Sequence, residues 1–581
     1  MFPVSASKKV QQAWKLALGL IVGALCGLAV YGFIWLLDFF TSVFFDYGKN
    51  IFGFTADYYV VILPALGGLI VGPLVYFLAK EARGHGVPEV MEDVALNGGT
   101  IPVRVVAVKS LAAAVCIGSG GSAGRVGPII HIGSGIGSAV GQLLKTSPHV
   151  MRDLVACGAA GGVAATFNAP IGGVMFALEV ILGEFAATHL MMVIISSVTA
   201  SVVSRALLGD SPFITMPQFT MHTPVELLLY GFLGVAAGVF SFLYIKTFYR
   251  IEDLFKSLDK IPVYFKPVIG GLLVGSIGLF FPQVFGVGYN HIEDALAGNM
   301  TLGLMVSLLL LKLLATSITL GSGGSGGVFA PSLYLGAMLG GIFGIMFNHF
   351  FPNVAVYPMA YALAGMAGVL AGSSFAPITG IILLFEMSND YRLILPLMIT
   401  CVISYVISNT FSGYSIYTTK LLRKGLDLEE LRRPDVLKDV LVCDVMNTNP
   451  ESLLAIHTAM RALKEVNYSQ HQGFPVLDLD GTVMGVITRK ELRWAALEGQ
   501  EKTPIHRLLK RELVCVRECE PLSRAVSLMS RHGVGRLPVV DENKRLLGII
   551  SRSDVIKAYG KMNRPETYDD EQFNKLDQLG M

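Results

Sequence analysis

The stretches GSGGSAGRVGPIIHIGSGIGS (118–138) and GSGGSGGVFAPSLYLGAMLGG (321–341) share a register: GSGGS recurs 203 residues on, and Pro128 and Pro331 keep that offset. A second pair, ACGAAGGVAATFNAPIGGVMFALEV (156–180) and LAGMAGVLAGSSFAPITGIILLFEM (363–387), aligns with an offset of 207, placing Pro170 on Pro377 and Glu179 on Glu386. The first part of the chain is therefore a duplication, with repeats over about 15–210 and 226–420. Around these stretches lie apolar runs near 14–45, 58–80, 188–208, 226–248, 266–281, 303–320 and 391–410, close to the roughly 20 residues that cross a bilayer. Glycine and serine interrupt the matched stretches where a lipid-facing helix would be uniform. Backbone that leaves the helix at membrane depth survives only when buried in protein or lining a wet cavity. Transporters built from two repeats place their substrate between such broken helices.

Composition agrees. Of 581 residues, 53% are hydrophobic and 15% charged, where a soluble domain carries about 25% charged residues. Seven cysteines are too sparse for a secreted disulfide scaffold, and a net charge of +2 gives no case for nucleic acid as a partner. Lys8, Lys9 and Lys15 predict a cytoplasmic N-terminus by the positive-inside rule, and the polar C-terminal part is expected there too. The apolar run that follows the N-terminus is too long for a cleaved signal.

Val126-Gly127-Pro128 and Phe329-Ala330-Pro331 each place proline just after a glycine-rich loop, a helix-start signal. Helix N-termini present unpaired N–H groups and about half a positive charge. Two of them, one per repeat and aimed at one point, would hold an anion with backbone alone. GSGGSGG lacks the Lys-Ser/Thr of a phosphate loop, no ring of carboxylates points to cations, and no nucleophile–base or metal-ligand set points to an enzyme. Glu179 and Glu386 stand out as intramembrane carboxylates, which are functional candidates by default. Their symmetric placement fits equally well a structural role, accepting backbone N–H bonds near a helix end.

At these residues the sequence resembles the CLC chloride channel and transporter family, over about residues 15–560. Gly84-His85-Gly86-Val87-Pro88 is similar to the family's GSGIP, Gly124-Arg125-Val126-Gly127-Pro128 to GREGP, and Gly327-Val328-Phe329-Ala330-Pro331 to GxFxP. The resemblance implies an α-helical polytopic membrane protein with an inverted repeat, a homodimer with one pore per subunit, and chloride or another small anion held by His85, Gly86, Gly124, Arg125, Val126, Gly127, Val328, Phe329 and Ala330. A tyrosine near the end of the membrane domain completes the family's site. FSGYSIYTTKLL offers Tyr414 and Tyr417, and spacing to the following basic helix favours Tyr417.

Three departures bear on mechanism. The family's gating glutamate is replaced by Val126, which can neither compete with the anion nor carry a proton. The inner proton-transfer glutamate of family exchangers aligns with Val180, and Glu179 aligns with the residue before it. The serine of GSGIP is His85, which either donates to the anion, with a charge that follows pH, or points away from it. These departures imply passive anion conduction. The other readings are exchange with protons through substitute groups such as Glu179 or His85, and a weakly conducting sensor.

After about residue 425 the sequence becomes that of a soluble protein, and a second duplication follows. GFPVLDLDGTVMGVITRKEL (473–492) recurs as RLPVVDENKRLLGIISRSDV (536–555), an offset of 63. Each unit reads strand, turn, strand, helix, with Thr488 and Ser551 suited to N-caps. This resembles a tandem CBS pair, an α/β module expected in the cytosol over 437–560 (437–496 and 505–560), followed by a polar tail, 561–581. Some CBS pairs hold an adenine nucleotide between repeats; the resemblance assigns Asp554 to the ribose and Ser551 or Thr488 to the phosphates, with Glu491 departing from the pattern in repeat one. Capping alone also accounts for Ser551 and Asp554. No other cofactor is called for. The location implied is a bacterial inner or plasma membrane.

Overall fold

The computed structural model describes residues 8–48, 58–79, 84–209, 223–428, 440–469, 471–509 and 513–562. The chain divides into two compact units, 1–431 and 432–581. Apart from residues 561 and 562, the expected polar tail lies outside the described residues, as do residues 437–439 at the expected start of the soluble unit.

Unit one is helical. Its first half holds α1 (Lys8–Thr41), α2 (Tyr59–Pro73), α3 (Val87–Leu96), α4 (Val103–Gly118), α5 (Val126–Leu143), α6 (Pro148–Phe167), α7 (Pro170–Phe176, continued in wider turns through Ala177–Leu182) and α8 (Ala187–Leu208). Its second half repeats the order: α9 (Glu226–Lys256), α10 (Lys266–Phe280), α11 (Tyr289–Leu296), α12 (Leu302–Gly321), α13 (Phe329–Phe350), α14 (Pro358–Ser374), α15 (Pro377–Ser388) and α16 (Ile394–Ser412), with a short α17 (Thr418–Leu422) after it. Proline opens α6, α7, α14 and α15, where its missing N–H costs nothing.

Among the described residues eight helices are long and apolar enough to cross a bilayer. Six are expected spans; the seventh expected span is the 15-residue α10. The two unexpected ones, α6 and α13, are rich in small residues, and their apolar windows are 89% and 83% buried. The glycines that made them poor lipid-facing helices let backbones touch. Gly133, Gly137 and Gly141 of α5 meet Gly158, Leu154 and Met151 of α6, and Gly336, Gly340 and Gly344 of α13 meet Gly365, Tyr361 and Pro358 of α14.

The halves are related by a two-fold operation that reverses direction. The packed pairs α1–α8, α5–α6 and α6–α8 recur as α9–α16, α13–α14 and α14–α16, while α2 packs on its own mate α10. Gly68 and Gly72 of α2 abut the carbonyls of Pro267 and Tyr264, and Gly271 and Gly275 of α10 abut those of Pro64 and Val61. The mates thus run antiparallel, so the repeats are inverted. Reciprocal polar contacts follow the same symmetry. Gly124 and Gly327 exchange N–H···O bonds of 2.7 Å each. Glu179 accepts from the N–H of Ile378 (3.1 Å) and from the N–H and hydroxyl of Thr379 (both 2.7 Å), capping α15. Glu386, on α15, accepts from the N–H of Ile171 (3.0 Å) and of Gly172 (2.6 Å), capping α7. Each repeat supplies the carboxylate that the other's helix start needs.

Unit two contains two three-stranded sheets of one design. In the first, β1 (Leu453–Leu454) pairs parallel with β2 (Gly473–Leu477), which pairs antiparallel with β3 (Val483–Thr488). In the second, β4 (Val516–Arg517), β5 (Arg536–Val540) and β6 (Leu546–Ser551) repeat the order and register. Pro475 and Pro538 occupy the middle strands just before the outer strand's two paired residues, so no ladder bond is lost on that side. The helices α18 (Ala459–Glu465), α19 (Arg489–Leu497), α20 (Leu522–His532) and α21 (Arg552–Met562) cover the sheets.

The reciprocal caps should be measurable. Removing a charged acceptor of two or three hydrogen bonds costs about 1–3 kcal/mol, so Glu179→Ala and Glu386→Ala should each lower the melting temperature in detergent. Glu179→Gln, which keeps one acceptor oxygen, should lower it less. Unchanged melting of both alanine variants would show the caps to be dispensable.

Candidate anion site

Three loops meet where the repeats join. Gly84 bridges to Ser325, Gly124 to Gly327, and the backbone of Gly127 lies so close to the His85 carbonyl that a Cβ there would come within 2.1 Å of its oxygen. His85 sits between Gly84 (φ 96°) and Gly86 (φ 90°), left-handed positions that favour glycine. The sequence thus brings GHGVP, GRVGP and GVFAP to one place from 84–88, 124–128 and 327–331.

At that place α5 opens at Val126 after Arg125, and α13 opens at Phe329 after Val328. Pro128 and Pro331 have no N–H. The N–H groups of Val126, Gly127, Phe329 and Ala330 have no hydrogen-bond partner among the described residues. Two other assigned glycines are committed elsewhere: the Gly124 N–H donates to Gly327, and the Gly86 N–H donates to the Glu89 carboxylate at 2.9 Å. These two amides are committed within the frame, which leaves the four at the helix starts as the open ones. Arg125 stacks over the Tyr289 ring at 4.9 Å, and its Nε has no hydrogen-bond partner among the described residues. Tyr417, at the start of α17, is 1% exposed, and Tyr249 fixes the neighbouring residue by donating to the Ile416 carbonyl (2.6 Å). Tyr414 instead reaches Asp427 (3.0 Å).

His85 is buried, edge-on to Phe248 with ring centroids 4.8 Å apart, and its Nδ1 has no hydrogen-bond partner among the described residues. It lines a cavity of about 420 Å³ with Glu89, Lys420 and Arg423. Val126 is 0% exposed, and Phe329 is hemmed in by Phe167 and Phe176 at 5.7 and 5.8 Å. Val180, in the turns after α7, is also buried.

Sequence reasoning missed the charged frame of the site. The Lys109 ammonium donates to the Gly84 carbonyl, and Lys312 donates to Val284 (2.9 Å) and Gly286 (2.8 Å). These lysines are 203 residues apart, the offset of the glycine motifs, and both are 0% exposed. Glu89 bonds Lys420 as well as Gly86.

In unit two, Thr488 and Glu491 form a reciprocal capping box (Thr488 N–H and hydroxyl to Glu491 at 2.8 and 2.7 Å). Ser551 donates likewise to Asp554 at 2.9 and 2.6 Å. Ser551 and Asp554 border a cavity of about 510 Å³ together with Arg536, Arg552 and Lys557.

Known proteins agree with this frame. The profile of the voltage gated chloride channel family matches residues 67–409, and CBS domain profiles match 442–498 and 505–561. The H(+)/Cl(-) exchange transporter ClcA of Vibrio parahaemolyticus is 34% identical over 435 residues, 72% of this chain and 92% of that protein. A ClcB-like protein of Ralstonia nicotianae is 33% identical over 371 residues, 63% of this chain and 86% of its own length. Among solved structures, a slow cyanobacterial Cl-/H+ antiporter superposes with a TM-score of 0.66 at 25% identity, over 72% of this chain and 99% of that one. A eukaryotic CLC transporter superposes with a TM-score of 0.63 at 21% identity, over 93% and 97%. Inverted halves, paired glycine loops and a C-terminal CBS pair thus coincide with the family match, and the chain belongs to the CLC family of chloride-transporting membrane proteins.

Proposed function

We propose that the protein is a passive chloride channel, not an enzyme, that works without proton coupling. The observation that carries this reading is the pair of buried valines, Val126 and Val180, at the two positions where exchange would need a titratable group. Glu179 is no substitute, because its carboxylate is spent on the α15 cap. The anion is held by the amides of Val126, Gly127, Phe329 and Ala330, by His85 Nδ1–H and by the Tyr417 hydroxyl. Passage beyond Val126 needs only that its apolar contacts open. The second reading, anion/proton exchange, rests on relatives named as exchange transporters and on His85 or Glu89 as proton groups.

The α1 and α8 starts share one face, since Gly19, Gly23 and Gly27 of α1 meet Met192, Ser196 and Ala200 in step. By inversion, the α9 and α16 ends lie there too. That face carries Lys15, Lys256, Arg423 and Lys424, which supports a cytoplasmic N-terminus and CBS pair. We further read the protein as a homodimer in a bacterial inner membrane, with an adenine nucleotide held beside Ser551, Asp554 and the basic residues of their cavity.

Proteoliposomes test the main claim. Chloride efflux should proceed without accompanying proton uptake, and the reversal potential should ignore a pH gradient; proton uptake in fixed ratio to chloride would establish the exchange reading. Val126→Glu should place a tethered carboxylate in the site, slowing flux at neutral pH. Flux should recover as pH falls below the carboxyl's pKa, ordinarily about 4.3, because protonation removes the competing charge. His85→Leu should weaken chloride binding by about tenfold to a hundredfold, the worth of one donor to a charged partner, read by calorimetric titration; unchanged affinity would remove His85 from the site. For the CBS pair, ATP, ADP or AMP at about 100 times its dissociation constant should stabilise by about 2.7 kcal/mol, seen as a higher melting temperature of the full chain.

A further inference from the structure

Away from the anion site, a cluster at the starts of α6 and α8 has no part in conduction as argued above. His149 and Asp153 are one turn apart on α6, so their side chains share a face. His189, on α8, completes the group. Asp153 is wholly buried. Its Oδ1 contacts His189 Nδ1, while Oδ2 has no hydrogen-bond partner among the described residues and lies 3.8 Å from His149 Nδ1. The two imidazole rings are 5.2 Å apart, and one ligand atom from each of the three residues lies within 4.8 Å of the others. His189 Nε2 is 3.5 Å from Glu184 Oε1. His149 is 66% exposed and His189 only 9%, so the group lies at the surface of its unit on one side.

A buried carboxylate oxygen with no donor is costly. The His189 contact satisfies Oδ1 and leaves Oδ2 bare. A cation between the three side chains would satisfy it, and the two imidazoles choose the kind: nitrogen donors suit zinc-like ions, while calcium and magnesium take oxygen. We propose that His149 Nδ1, the Asp153 carboxylate and His189 Nδ1 bind one divalent transition-metal ion of the Zn²⁺ class. Water completes the tetrahedron on the open side. Glu184 accepts from His189 Nε2–H and fixes the ring with Nδ1 toward the metal, the usual outer partner of a ligating histidine.

The site has a structural consequence. α6 packs along α5, whose start holds the anion. Glu184 and His189 directly follow the turns that carry Val180. A bound ion would pin the end of that segment to the base of α6.

The test uses tag-free full-length protein in detergent, stripped with a chelator. Titration with Co²⁺ should give visible absorption bands saturating at one ion per chain. Zn²⁺ should displace them and raise the melting temperature. His149→Ala, at an exposed position, should leave the metal-free melting temperature unchanged and weaken Co²⁺ binding by about tenfold or more. Glu184→Gln should weaken it less, and Asp153→Asn should abolish it. Absence of the bands, or binding that His149→Ala leaves unaltered, would overturn the proposal and leave the cluster an internal ion-pair network. None of these readouts involves chloride flux, so the result stands apart from the channel assignment.

Discussion

A helix that starts inside a membrane exposes N–H groups that no water can satisfy, and among the described residues such starts come in mated pairs, α5 with α13 and α7 with α15 among them. The two-fold relation between repeats solves the problem for one pair completely. Glu179 reaches the start of α15 and Glu386 the start of α7, so each half is incomplete without the other. For the second pair the solution is partial. Gly124 and Gly327 satisfy each other, but the first amides of α5 and α13 stay open. An unpaired buried donor costs about 1–3 kcal/mol, and four of them on one spot favour a small anion as the missing partner.

Formal charge near the site is tied to fixed partners. Lys109 and Lys420 lie close to the His85 loop, yet Lys109 is turned to the Gly84 carbonyl and Lys420 is paired with Glu89. Glu89 in turn takes the Gly86 amide. Glu89 offsets one of the two lysines and a carbonyl holds the other, so on the proposed reading it is the partial charges of backbone dipoles that contact the anion. Conduction needs a site that is favourable to enter and weak enough to leave, which an unshielded buried lysine would not provide.

Much of this was legible in the sequence, and the failures have physical causes. The 203 and 207 offsets exposed the duplication, and proline after a glycine loop marked the first turns of α5 and α13. Lys109 and Lys312 obey the same offset and were legible, but a lysine in an apolar run does not stand out beside glycine motifs. The role of Glu179 stayed open because its partners, Ile378 and Thr379, are about 200 residues away, and no local pattern announces them. The bond from the Gly86 N–H to Glu89 was hidden because glycine stands where a serine or threonine usually signals a capping box. α6 and α13 escaped notice as long helices because hydropathy rewards lipid-facing surface, whereas these helices face protein. His189 is 36 residues from Asp153, so spacing shows only half of that cluster.

The two repeats are equal in architecture and unequal in what they present, and function follows the inequality. Lys109 and Lys312 hold equivalent loops ahead of α3 and α11, yet only the first loop carries a donor side chain, His85; the second carries Val287. At the helix starts the mates are Val126 and Phe329, both apolar, so neither half contributes a charge that can occupy the site in the anion's place. A carboxylate at Val126 would have been attracted by the same open amides that attract chloride, and its protonation would have been tied to anion entry. On the channel reading proposed above, valine there makes occupancy of the amides depend on the anion alone, and the same backbone that could host an exchanger is left with a single transported species.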